Sequence, residues 1–203
     1  MARVSKSPEE RKKDILDAAK ELFQTKGYER TAVSDIVKKV GVAQGTIYYY
    51  FQSKSDIADA LIDRELQENI ASLQQIVDEQ GAGAVDKLEK VRKLLAQGNN
   101  RMDEIEYLHE DHNAMLHQKA LVRMIREYAP LVASIVEQGN REGVFHTDNP
   151  LVITEFLLAG SQFLFDPGIF SWTEEELRLK LAAVDEITEK LLGAKKGTFH
   201  FSL

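Results

Sequence analysis

TAVSDIVKKVGVAQGTIYYYFQSKSDI, residues 31–57, decides how this chain folds. Val33, Ile36, Val37 and Val40 recur at spacings of three and four, so they share one face of a short helix for which Thr31 is the expected N-cap. Gly41 stands where a left-handed turn residue is wanted. Two or three residues later a second short helix is predicted over roughly 44–51, with Val42 and Ile47 pointing inward. Two short helices joined by a tight glycine turn make a helix-turn-helix. Neither reaches the ~12 residues that an isolated helix needs in water, so another element must wall them in.

That wall lies upstream. Ser7-Pro8-Glu9-Glu10 predicts a helix start, with Ser7 as N-cap, Pro8 at the first helical position and Glu10 closing a capping box. Ile15, Leu16, Ala19, Leu22 and Phe23 then form one apolar stripe, and Gly27 ends the helix. Residues 1–52 therefore read as a three-helix head and 53–203 as a helical body. The fold class is all-α, with about nine helices in total.

Downstream, Ser53 caps a helix with Asp56 at its third position, and its apolar periodicity runs some 25 residues to Gly81-Ala82-Gly83, nearly 40 Å at ~1.5 Å per residue. Further helices are predicted at roughly 84–97, 102–117, 119–141, 150–165 and 174–192. Gly98-Asn99-Asn100, Gly143, Asp148-Asn149-Pro150 and Asp166-Pro167-Gly168 separate them. Pro130 is expected to kink or break its helix. The tail from Gly197 is short enough to lie extended, and no strand or internal repeat is evident.

Composition narrows the function classes. Of 203 residues, 43% are hydrophobic and 29% charged, the mix of a chain with a real core. There is no cysteine, which excludes disulfides, thiolate nucleophiles and Cys-type zinc sites. No stretch approaches the ~18 apolar residues of a membrane span, and the charged start MARVSKSPEERKKDI is unlike a signal peptide, so a cytoplasmic location is expected. Net charge is −7, yet residues 1–54 hold 11 Lys and Arg against 7 Asp and Glu, while the remainder holds 15 against 26. A basic head on an acidic body is the asymmetry expected when one end meets phosphate. No nucleophile elbow, metalloprotease helix or phosphate loop occurs, so neither an enzyme nor a cofactor is expected.

Residues 31–57, with ILDAAKELFQTKGYERT (15–31) before them, resemble the N-terminal signature of the tetracycline-repressor (TetR) family. The order of caps, core positions and Tyr-Tyr-x-Phe-x-x-Lys carries the resemblance over about 50 residues. The rest fits in helix order and length, including Arg-Glu-Gly-Val-Phe at 141–145 and an Asn-Pro helix start. One departure is Ala43, where the family usually has Ser or Thr as N-cap; losing that oxygen costs about 1 kcal/mol of local helix stability.

The resemblance implies a dimeric regulator whose second helix enters the major groove of double-stranded operator DNA. Gln44 is the candidate base reader, able to pair bidentately with adenine; otherwise it is a solvated glutamine at a helix start. Gly45 lets the backbone approach the groove, and Thr46 offers a hydroxyl for phosphate or a methyl for thymine. Tyr48 and Tyr49 suit phosphate or base edges, whereas Tyr50 and Phe51 fall to the core. Lys54 resembles a family phosphate clamp, and Thr31 and Ser34 are placed to donate to the flanking backbone. Arg3 and Lys6 make either a minor-groove arm or a solvated tail.

For the body, the resemblance implies a homodimer through the two C-terminal helices and a small-molecule effector of unknown identity. Residues 151–165 are apolar almost all round, which demands burial on both sides. Tyr107, His117, Met124, Tyr128, Phe156 and Phe163 are the candidate pocket lining. His109-Glu110-Asp111-His112 with His117 has the composition of a metal site, but the preferred reading is a charged helix end beside Asn113, and no metal is expected. The reading is a ligand-responsive regulator, a repressor released when its effector alters the spacing of the heads. The alternatives are an activator, a nonspecific nucleoid-type DNA binder, or a helical enzyme.

Overall fold

The computed structural model describes residues 6–100 and 111–199. Eight α-helices occur among them: α1 (Pro8–Lys26), α2 (Val33–Val40), α3 (Gln44–Tyr50), α4 (Lys54–Asp78), α5 (Ala84–Asn100), α6 (Ala114–Glu142), α7 (Pro150–Leu164) and α8 (Glu174–Leu192). A 3-10 turn, Asp111–Asn113, leads into α6. No strand is present among the described residues.

The helices start and stop where local chemistry says they should. Ser7 Oγ accepts the Glu10 N–H and the Glu10 carboxylate accepts the Ser7 N–H at 2.7 Å, the reciprocal box expected from the sequence. Ser53 and Asp56 open α4 in a related way: the Asp56 N–H meets Ser53 Oγ at 3.1 Å, and Asp56 accepts the Gln52 N–H at 3.0 Å. Thr31 is not the cap of α2. Ala32 holds that position, and Asp35 satisfies the Ala32 N–H at 2.9 Å. Thr31 is buried instead, its hydroxyl donating to the Gly27 carbonyl at 2.7 Å, because the turn needs an internal donor more than the helix needs a cap.

Two expectations for the middle of the chain change. Ala114–Glu142 is one unbroken helix, without the break anticipated near residue 118, where neither Gly nor Pro stands to stop it. Pro130 lies inside α6 and the helix runs through it. Pro130 and Arg126 are both exposed, so the Arg126 carbonyl, left without a helical donor because proline has no N–H, is on the solvent side, while Ala129, Val132 and Ala133 are buried. Of the predicted helix 102–117, residues 102–110 lie outside the described residues.

The chain packs as two compact units that do not follow chain order. One, the head, takes the described residues 6–65 with 111–120; the other, the body, takes 66–100 with 121–199. The sequence alone suggested one division at 52/53. The difference arises because α4 and α6 each begin in the head and end in the body.

In the head, Ile15, Leu16, Ala19, Phe23, Ile36, Ile47, Phe51, Ile57, Leu61 and Leu116 are buried. At about 25 cal/mol per Å² of apolar area, such side chains stabilise short helices that would not persist alone. In the body, Leu73, Leu88, Val91, Met124, Tyr128, Ile135, Val136, Phe145, Leu158, Leu192 and Phe199 form one apolar cluster. Buried Lys87 is satisfied by the Val77 carbonyl at 2.7 Å and Gln138 Oε1 at 3.0 Å. Arg92 pairs with Asp185 and lies over the Phe199 ring, 5.7 Å from its centroid. That contact ties the tail down, through a Phe199 N–H bond to Glu189 at 3.1 Å.

Candidate nucleic-acid interface

The sequence QGTIYYY has little intrinsic reason to be helical: it contains a glycine, β-branched residues and three tyrosines. Ala43 supplies no capping oxygen. What holds α3 is its inward side, where Ile47 and then Phe51 are buried, with the Phe51 N–H returning to the Ile47 carbonyl at 2.9 Å. The turn in front of it is set by Gly41, left-handed at φ 71°, whose N–H caps the Val37 carbonyl at 3.0 Å.

With Ile47 inward, the opposite face of α3 is left to solvent. Gln44 and Gly45 are exposed, and a side chain at Gly45 would meet nothing within 4 Å. Thr46 is half-buried, Tyr48 is 46% exposed and Tyr49 81% exposed. Tyr50 is half-buried, its ring edge-on to Tyr49 at 5.0 Å. The face therefore offers an amide, a hydroxyl and two phenols around a bare glycine and carries no charge. An unladen face of this kind can lie against base edges without a desolvated ion.

Cations surround it. Ser34 is exposed in the first turn of α2, and Lys38, which sequence reasoning passed over, is exposed in its last turn. Neither Lys38 nor exposed Arg30 has an ion-pair partner among the described residues, so both are free for phosphate; the signal was the paired Lys38-Lys39 at a helix end. Lys39 and Lys26 are engaged with Glu21 and Asp35. Lys54 is also partly spoken for: its ammonium donates to the carbonyls of Tyr28 at 2.7 Å and Glu29 at 3.2 Å and sits 4.4 Å from the Tyr28 ring centroid. Burial pulls its pKa down, opposed by the charge of Glu29. One of its three protons is left for a phosphate. Thr31, buried with its hydroxyl committed, is not placed to reach one. Lys6 pairs with Asp14 at 2.6 Å, and Arg3 lies outside the described residues.

The candidate effector lining divides. Met124 and Tyr128 belong to the body core, and among the described residues the buried Tyr128 hydroxyl has no well-formed hydrogen bond; burial pushes its phenol up, with Asn69 opposing. Phe156 and Phe163 point outward on α7, 66% and 55% exposed, because α7 is apolar on more sides than one chain covers. They are not pocket lining within this chain. His117 belongs to the head unit, and Tyr107 and His109 lie outside the described residues. His112 is packed on the α1–α2 turn, and no cluster of three potential metal ligands occurs among the described residues.

Known proteins match both halves. Residues 15–61 match the model for bacterial regulatory proteins of the tetR family, and residues 96–187 that for a tetracyclin repressor-like C-terminal domain. The fatty acid metabolism regulator protein of Bacillus subtilis is 28% identical over 182 residues, which span 88% of this chain and 91% of that one. Two solved structures share the fold. FadR from Bacillus subtilis, in complex with stearoyl-CoA, superposes with a TM-score of 0.53 at 24% identity, covering 93% of this chain and 99% of that one. SmeT, the repressor of a Stenotrophomonas maltophilia multidrug efflux pump, in its triclosan complex gives 0.62 at 18% identity and 96% coverage of each chain.

Proposed function

Because this chain belongs to the tetracycline-repressor family of transcriptional regulators, we propose that it represses transcription by binding a near-palindromic operator as a homodimer, and that a fatty acyl effector releases it. Proteins of the family bind operator DNA and small-molecule ligands and are regulators, not enzymes. The observation that carries the operator reading is the solvent-facing Gln44–Tyr49 side of α3 above buried Ile47. Gln44, Gly45, Thr46, Tyr48 and Tyr49 would meet the groove, with Ser34, Lys38 and the spare proton of Lys54 on flanking phosphates.

Dimerisation follows from the uncovered side of α7 and α8. Val152, Phe156, Phe163 and Leu179 are each more than half exposed in one chain, and burying them is what a second copy would do. One head is too small to specify a site, so a two-fold pair is required. The fatty acyl choice rests on the B. subtilis fatty acid regulator, 28% identical over almost its whole length, and on the apolar core of the body. No described helix is long and apolar enough to cross a membrane, and a cytoplasmic location is part of the same proposal, since the operator it would bind lies there.

Selecting duplexes from a random library tests this. A near-palindromic consensus is expected, and Gln44→Ala should cost about 1–3 kcal/mol of discrimination at its base pair. Stearoyl-CoA should then weaken operator binding, by linkage binding less well itself when operator is present. Equal retention of all duplexes would leave the nonspecific binder; an operator untouched by stearoyl-CoA would remove the acyl effector only.

A further inference from the structure

We propose that Asn113, in the turn that opens α6, is a positioning residue for operator recognition, the side chain that holds the α1–α2 turn of the reading head in place; this rests on the DNA-binding reading above. Asn113 is fully buried, and its carboxamide is used as though it were one more peptide group of α1. Its Oδ1 accepts the Tyr28 N–H at 2.6 Å and its Nδ2 donates to the Phe23 carbonyl at 3.0 Å. Those are backbone groups at the end of α1, where the chain has run out of helical partners. The Phe23 carbonyl also takes the Gly27 N–H, at 3.1 Å.

The same turn is gripped from other sides. The His112 ring lies so close to Gly27 that a Cβ there would stand 2.4 Å from its Cδ2. The Tyr28 carbonyl receives Lys54 from the start of α4. Lys119, one turn and a half along α6 from Asn113, donates to Ser55 at 3.0 Å and Asp59 at 2.7 Å, so the starts of α4 and α6 are tied together as well. The N–H and the carbonyl of Tyr28 are thus held by Asn113, from the 3-10 turn that leads into α6, and by Lys54, from the first turn of α4.

The consequence is directional. The turn at 27–32 leads straight into α2, and α2 carries buried Ile36 toward the α3 side that holds Ile47. In the other direction α6 continues without interruption from Ala114 to Glu142, taking Met124 and Tyr128 into the body core. A shift of α6 along or about its axis must therefore either carry the Tyr28 peptide with it or break two buried hydrogen bonds. A linkage of this kind needs a physical joint with few alternatives, and a buried bidentate amide is one.

The test uses the full chain, the selected operator, and a scrambled duplex of equal length. Nonspecific binding depends on phosphate contacts alone, whereas the operator demands both heads in register, so a positioning defect separates the two. Asn113→Ala should lose about tenfold or more in operator affinity while its affinity for the scrambled duplex stays within about twofold. Both duplexes are titrated well below the unfolding midpoint of either protein, because leaving the Tyr28 N–H and the Phe23 carbonyl without their partner lowers that midpoint in any case. Parallel loss on both duplexes would assign Asn113 to stability alone, and no loss on either would remove the joint. If Asn113→Ala does not fold, amide exchange of the wild type decides: on adding operator, Tyr28 and residues 121–128 of α6 should slow together, and slowing confined to the head overturns the proposal. A wild type that retains no duplex sinks the DNA-binding reading, and this inference with it, a result distinct from operator held equally by both proteins.

Discussion

Replacing Gly27 by alanine should be among the most damaging single changes in the head, for two separable reasons. Gly27 has φ 89° and ψ 149°, a region populated almost only by glycine, and a side chain there costs about 1–3 kcal/mol in backbone strain. The new Cβ would also stand 2.4 Å from His112 Cδ2 and 2.9 Å from its Cγ, an overlap that neighbouring atoms relieve at a further cost of about 1–3 kcal/mol. The total of about 2–6 kcal/mol corresponds to a loss of at least ~4 °C in unfolding midpoint for a chain of this size. A double-mutant cycle with His112→Ala separates the two parts. Removing the ring relieves the overlap and leaves the strain, so the double variant should be more stable than the sum of the single effects by about 1–3 kcal/mol. Urea unfolding of the four proteins, followed by far-UV circular dichroism, measures this. Additivity to within about 0.5 kcal/mol would refute the packing of His112 on the turn, and with it one of the grips on Tyr28.

Three further outcomes follow from particular contacts. Phe156→Glu, on the exposed side of α7, should leave helix content intact and convert a dimer to monomers in sedimentation; an unchanged dimer would move the interface elsewhere. Asp185→Ala strips Arg92 of its main partner in a site where both are largely buried, and should cost about 3–5 kcal/mol in chemical unfolding, more than Arg92 and Asp185 together replaced by apolar residues. Glu10, held low by the Ser7 N–H, Asp35, held low by Lys26 and the Ala32 N–H, and Glu176, held low by the Thr173 N–H, all have depressed pKa values in the folded chain. Their contribution is therefore complete above the ordinary carboxylate range and is lost as pH falls through it, so thermal stability should be level down to about pH 5 and decline below about pH 4; a midpoint unchanged at pH 3 would count against these caps.

The outward side of α3 was legible because it is the complement of a pattern. Once Ile47 and Phe51 are assigned inward, helical geometry turns Gln44, Tyr48 and Tyr49 away from them. The capping boxes were legible for a similar reason, since Ser7 and Glu10 need only each other. Thr31 misled because a hydroxyl one residue from a helix start suits either a cap or a turn, and only the position of the Gly27 carbonyl chooses between them. Phe156 and Phe163 misled in the opposite sense: periodicity says that a phenylalanine wants cover, not whether its own chain or another provides it.

What the amino-acid order determined by itself is everything that acts over a few residues: the helix limits set by Ser7, Gly27, Gly41 and Ser53, the apolar faces of α1 and α2, and the polar set carried by α3. Those features depend on bonds and periodicities within one or two turns, which a linear string records in full. The tertiary structure alone decided that Asn113 completes the end of α1 across 85 and 90 residues of chain, and that Lys54 grips Tyr28. A carboxamide or an ammonium bonds to whichever backbone group folding brings within 3 Å, and nothing in its own neighbourhood of sequence names that partner.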